Sequence, residues 1–191
     1  RREYGATRIG QWTLMVAELE TLQRWFTYLS VARRGYFDTF AKLPTAELSR
    51  DRGASYPSLL DILAHSQGAL YFWIRNCSPE AFPPPEPDTG EPPTVAQLKE
   101  FETYLQVHVQ RFMVGLHEAD LGRTIARPEG HGSDHDCSIP IREVLWHLVE
   151  EELQHLGECN ALLWQIDVDA PVYDWIRWAH DVGRIQDRPP K

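Results

Sequence analysis

The segment that decides the fold reads Ile141-Arg-Glu-Val-Leu-Trp-His147-Leu-Val-Glu-Glu151-Glu-Leu-Gln-His155-Leu-Gly-Glu158. Its apolar residues recur every three or four positions, which is the pattern of a helix with one buried face. The pattern continues to about Ile166, and Pro140 is acceptable in a first helical turn. We therefore predict one long helix over about 139–166 whose apolar stripe faces a core.

Three further segments carry the same period, over about 12–43, 58–76 and 94–120. The last two begin with Ser or Thr followed three residues later by Asp or Gln, which is typical of a capped helix start. Between them the proline-rich stretch 77–93 predicts a long crossover loop. A short extended piece is expected at 124–126 and a short packing helix within 172–182. The fold class is therefore all-α, a four-helix bundle with a long crossover loop and short extra helices.

The chain is expected to form a single domain over 1–191, with roughly ten N-terminal and roughly eight C-terminal residues peripheral to it. Seven Trp, seven Tyr and seven Phe argue against disorder. They also provide more apolar surface than a small bundle readily hides, so we expect a homodimer through the outer faces of the first and second helices.

Composition also bears on partners and location. Asp and Glu number 28 against 19 Lys and Arg, a net charge of −9, and the arginines form no basic stripe, which argues against nucleic-acid binding. No apolar run approaches the ~18 residues of a membrane helix. Three cysteines at unrelated spacings favour a reducing, cytoplasmic location over a disulfide scaffold.

The fourth helix carries the candidate metal ligands. His147, Glu151 and His155 are spaced by four, so they stack along one edge of the apolar stripe. Imidazole and carboxylate groups at this spacing can bind one divalent ion from a single helix face. A further ligand must come from another helix, and His65 on the second helix is the candidate, with His108 on the third as its competitor. His147 also suits an ordinary position at the edge of the core.

Two other metal-binding arrangements are represented in part in the sequence. Glu152 and His155 form a Glu-x-x-His pair, but a di-iron bundle needs two such motifs and two more carboxylates, which the sequence lacks. His131, His135 and Cys137 lie in a loop rich in Gly and Asp and could bind a metal ion. The Cys-x-x-Cys spacing and fourth ligand of a structural zinc site are missing there.

Two segments together resemble the DinB-like family of DNA-damage-inducible, DinB/YfiT-like metalloenzymes. The first is Leu60-Asp-Ile-Leu-Ala-His65, and the second runs from Leu145 to Glu158. In that family a His follows the Leu-rich start of the second helix, and a later helix carries His-x-x-x-His followed by a Gly and a Gln or Glu. Helix order and spacing agree over about 12–166. One departure is Glu151, which stands where the family usually has the first His of the pair.

The resemblance implies a single divalent metal ion (Zn, Ni, Mn or Fe), a homodimer and, in some branches, transfer reactions that use a low-molecular-weight thiol. We therefore expect His65, Glu151 and His155 to bind the ion, with His147 as a supporting or substitute group. The expected activity is metal-assisted thiol transfer or hydrolysis on a small molecule. The alternative is a non-catalytic, dimeric helical bundle with a stress-related or binding role and a degenerate site. No thiol-binding motif is recognisable in the sequence.

Overall fold

The computed structural model describes residues 17–81, 93–126, 137–171 and 174–185. Its four long helices are the four predicted from the apolar period. They are α1 (Glu18–Phe40), α3 (Leu59–Cys77), α4 (Val95–Gly115) and α5 (Ile141–Trp164), with two short helices, α2 (Thr45–Leu48) and α6 (Trp175–Asp181). The prediction of a helical bundle with short extra helices is confirmed.

The helix starts that the sequence predicts are present. Ser58 caps α3 by accepting a hydrogen bond from the Asp61 backbone N–H at 3.2 Å. Thr94 and Gln97 form a complete capping box at the start of α4. These bonds satisfy backbone donors that a helix leaves unpaired in its first turn, so both helices begin at defined residues.

Several boundaries differ from the prediction. Helix α1 ends at Phe40 rather than near residue 43, and Pro44 begins α2 as its N-cap. Helix α4 ends at Gly115, because Leu116 is extended, and 118–122 form a separate 3₁₀ turn. The predicted crossover loop falls mostly on 82–92, outside the described residues, as does the part of the first predicted helix before residue 17.

A two-stranded ribbon precedes α5. Strand β1 (Thr124–Ala126) pairs antiparallel with β2 (Ser138–Pro140), and Ile125 lies opposite Ile139. The extended piece predicted at 124–126 is therefore confirmed. Ile139 and Pro140 belong to this ribbon and not to the helix, since their backbone pairs with β1, so α5 starts at Ile141.

The four long helices form a square in cross-section. Helix α5 packs against α1 and α3, and α4 packs against the same two helices, so α4 and α5 lie on opposite corners. All four contribute to one apolar core, whose largest fully buried side chains include Phe37, Phe40, Leu63, Leu105 and Ile141. Helix α6 adds Trp178 and Ala179. This arrangement places the facing sides of α3 and α5 next to each other along much of their length.

Large apolar side chains that stay exposed lie, among the described residues, on α4, on α5 and in or just after α6. They are Val107, Val114, Leu153, Trp164, Ile176, Val182 and Ile185. None is on α1 or α3, the helices expected to form a dimer interface. Within the described ranges, no helix combines the length and the apolar character needed to cross a bilayer.

Candidate metal centre

Packing of α3 on α5 brings the three predicted ligands together. His65 Nε2 lies 2.8 Å from Glu151 Oε1, and His155 Nε2 lies 3.2 Å from the same oxygen. All three potential ligand atoms fall within 4.8 Å of one another. Glu151 and His155 are one turn apart on α5, as the four-residue spacing requires, and His65 reaches them from the neighbouring helix.

The second nitrogen of His155 is held by another carboxylate. Nδ1 lies 2.9 Å from Glu158 Oε2, and Ser55 donates to Glu158 through its hydroxyl at 2.5 Å and its backbone N–H at 3.2 Å. A carboxylate that accepts from one imidazole nitrogen orients the ring and directs the other nitrogen at a metal ion. Glu158 therefore stands where a supporting carboxylate of a His ligand is expected.

The hydrogen-bond partners of the His155 ring are also compatible with a bound cation. Ionised carboxylates only accept hydrogen bonds, so contacts from His155 to both Glu158 and Glu151 require protons on both ring nitrogens. A cation bound between Nε2 and Glu151 needs a proton on Nδ1 alone. His65 Nε2 also has two neighbours, Glu151 Oε1 and, at 2.9 Å, Tyr56 Oη. Because one nitrogen carries at most one proton, it cannot donate a separate hydrogen to each of them.

The donor set fits a divalent ion. Imidazole nitrogens and carboxylate oxygens about 2.0–2.2 Å from a tetrahedral ion lie about 3.4 Å from one another. The separations of 2.8 and 3.2 Å from Glu151 Oε1 are shorter than that value by about 0.6 and 0.2 Å. Two nitrogens and one oxygen suit zinc, nickel, manganese or iron and leave coordination positions open.

Electrostatics keep Glu151 ionised. Partial burial acts to raise the pKa of Glu151, but hydrogen bonds from His65 and His155, and the charges of His155 and His147, outweigh it and lower that pKa. Partial burial, together with the negative charges of Glu151 and Glu158, raises the pKa of Tyr56. The cluster therefore presents an anionic carboxylate beside a phenol that keeps its proton.

His147 lies at the edge of this cluster. Its Nε2 is 4.0 Å from Glu151 Oε2, beyond hydrogen-bond range, and its ring meets the edge of Trp73 at 5.5 Å between centroids. With Glu150 and Glu151 it forms a second, more exposed group of potential ligand atoms. The supporting or substitute role of His147 stays a prediction.

The competing candidates lie elsewhere or outside the described residues. His108 lies on α4 with its ring 4.3 Å from that of Tyr104, and it joins no group of potential metal ligands in the described part of the chain. His131 and His135 fall outside the described residues, and Cys137 is exposed. Glu152, the first residue of the Glu-x-x-His pair, is buried and bonds to Ser66 rather than joining His155.

Tyr56 and Ser55 precede α3 in an irregular segment and are not among the residues predicted from the sequence. The Tyr56 ring stacks on His65 with centroids 3.9 Å apart and makes a T-shaped contact with His155 at 5.5 Å between centroids. No periodic pattern marks a residue in such a segment. Glu158 was noted only within the family motif, although its position three residues after His155 on the same helix could have indicated the contact.

Comparisons with known proteins agree with this architecture. The sequence of the chain matches the family model of the DinB superfamily over residues 28–159. Among solved structures, the chain is similar to the crystal structure of a DinB family member protein from Shewanella denitrificans. The TM-score is 0.50 and the identity 14%, over 90% of this chain and 93% of that one, so this likeness bears on the fold alone. A search of curated proteins finds no match.

Proposed function

The chain belongs to the DinB superfamily, and we propose that it is a metal-dependent enzyme whose single divalent ion is held by His65, Glu151 and His155. The observation that carries the proposal is the shared oxygen: Glu151 Oε1 faces one Nε2 on α3 at 2.8 Å and another on α5 at 3.2 Å. When bound, a divalent ion supplies Lewis acidity that makes a thiol or water nucleophilic near neutral pH.

The side chains around the ligands divide the supporting tasks. Glu158 holds Nδ1 of His155 and so directs Nε2 at the ion. Tyr56 keeps its proton and places its hydroxyl beside His65, where it can donate a hydrogen bond to a reactant. The side chains of His65 and Glu151 are 29% and 22% exposed, so a small molecule can approach from solvent.

Thiol transfer and hydrolysis are the two reaction classes that this site could support. Both use a nucleophile activated beside an electrophilic substrate, and both need the open coordination positions that three protein ligands leave. A low-molecular-weight thiol is the proposed cosubstrate in the first class. The proposed location is the cytoplasm.

Metal content provides the first test. Protein purified without an affinity tag should contain close to one equivalent of a divalent metal by elemental analysis. His65→Ala and His155→Ala should each lose it while far-UV circular dichroism stays nearly unchanged. His117→Ala is the matched control, because that histidine is exposed and belongs to neither group of potential ligands. A folded wild-type protein that takes up no metal would favour the non-catalytic bundle instead.

A spectroscopic titration then separates the two reaction classes. Protein loaded with Co²⁺ should change its visible absorption when glutathione is added, if a thiol enters the site. An unchanged spectrum with glutathione, in protein that holds Co²⁺ stoichiometrically, would remove thiol transfer with that thiol and leave hydrolysis.

A further inference from the structure

A cavity of about 650 Å³ lies between α1 and α4, apart from the candidate metal ligands. Its walls are mostly apolar and include Phe26, Leu29, Leu105, Val109 and Met113, and its floor is formed by side chains of α3 and α5. Sites for small molecules commonly have this size, apolar walls and a few polar groups that fix orientation.

Two buried charged side chains lie among the cavity residues. Arg33 and Glu152 are each only 4% exposed. Arg33 donates from Nε to Glu102 Oε2 at 2.7 Å, and its Nη1 lies 2.6 Å from Glu152 Oε2. The Ser66 hydroxyl donates to that same Glu152 oxygen at 2.6 Å.

One acceptor of this ion pair remains unused. Glu152 Oε1 is buried and has no hydrogen-bond partner among the described residues. The contacts of Arg33 with the two carboxylates run through its Nε and Nη1 to the Oε2 atoms of Glu102 and Glu152, and leave Glu152 Oε1 unpaired. A buried polar atom without a partner destabilises the protein, so an occupant able to satisfy it gains binding energy.

The charges around Glu152 Oε1 select the polar end of the occupant. The guanidinium already lies between the carboxylates of Glu102 and Glu152, so an anion would add a third negative charge. A cation would be repelled by the positively charged guanidinium. An uncharged group that carries a donor, such as a carboxamide or a hydroxyl, can donate a hydrogen bond to Glu152 Oε1 without adding a charge.

We propose that this cavity binds an uncharged amphipathic molecule, with its apolar body between α1 and α4 and a carboxamide or hydroxyl end at Arg33 and Glu152. The site is separate from the candidate metal centre. Glu152 follows Glu151 and Ser66 follows His65, and successive residues point about 100° apart around a helix. Glu152 therefore lines the cavity and Ser66 donates to it, whereas Glu151 and His65 face the candidate metal site.

Four probes with the same chain length test the polar end: octanamide, 1-octanol, octanoate and octylammonium. Calorimetric titration into the full chain should show binding of the first two. Octanoate and octylammonium should bind at least about tenfold more weakly, because octanoate has no donor for Glu152 Oε1 and octylammonium brings a second positive charge beside Arg33. Equal affinity for all four, or no binding of octanamide up to its solubility limit, would overturn the proposal.

A variant that fills the cavity tests the location. Ser30 lies in the cavity wall on α1, partly exposed, so Ser30→Phe adds side-chain volume inside the cavity. It should abolish octanamide binding. Thr39→Phe, at a partly exposed position of the same helix outside this cavity, should bind octanamide as the wild type does. Unchanged binding by Ser30→Phe would show that the molecule binds elsewhere.

Discussion

Replacing Arg33 by Met should destabilise the protein strongly, because it leaves buried carboxylates without their cation. Burial acts to lower the pKa of Arg33, but the charges and hydrogen bonds of Glu102 and Glu152 outweigh it and raise that pKa, so the guanidinium is charged. Its contacts of 2.7 and 2.6 Å compensate both carboxylates at once. Met has a similar length and an apolar side chain, so the change removes the charge while largely keeping the volume.

The magnitude follows from the cost of breaking a buried ion pair, about 3–5 kcal/mol when one partner is removed. Ser66 still donates to Glu152, and Gln67 and Gln106 still donate to Glu102, at 2.6, 3.0 and 3.2 Å. These remaining bonds favour the middle of the range, about 4 kcal/mol. For a chain of this size the melting temperature should fall by roughly 8–16 °C.

Urea unfolding followed by far-UV circular dichroism measures the effect. Arg34→Met is the matched control: this neighbour is exposed, so its free energy of unfolding should change by less than about 0.5 kcal/mol. Arg33, Glu102 and Glu152 replaced together by Met should recover most of the loss, because no charge is then left buried. A loss below about 1 kcal/mol for Arg33→Met alone would refute the reasoning.

Four further outcomes are expected. Glu158→Gln should weaken zinc binding by about 10–100-fold in a calorimetric titration, because a neutral amide orients His155 less well; unchanged affinity would contradict that role. Ser58→Ala should cost about 1 kcal/mol of unfolding free energy in urea, through loss of the α3 cap, and a neutral effect would argue against the cap. Iodoacetamide at mildly alkaline pH should label exposed Cys137 first, as measured by mass spectrometry. Burial raises the pKa of the Cys77 thiol to about 11 and also raises the pKa of the buried Cys159 thiol, so both react slowly. Early labelling of either buried thiol would be inconsistent with the packing. Light scattering should report a homodimer, and a monomeric mass over a wide concentration range would exclude it.

Helix identity was predictable because the signals that specify it are local. Ser58 and Thr94 mark helix starts through bonds to residues three positions away, and apolar period alone identifies the buried face of α5. The same period places Glu151 and His155 on one edge. The predicted end at residue 43 is too late, because the backbone after Phe40 tightens into turns in which the Leu43 N–H donates to the Phe40 carbonyl. The predicted start at residue 139 is too early, because Ile139 and Pro140 pair with β1.

Contacts between distant segments were decided by the tertiary structure. His65 meets Glu151 across 86 residues, Arg33 reaches Glu102 across 69, and Tyr56 stacks on the cluster from an irregular segment. Spacing along one helix specifies which of its residues share a face. It does not specify which face of another helix packs against that face. That choice depends on how side-chain shapes of four helices interlock in one core, which is a property of the whole chain.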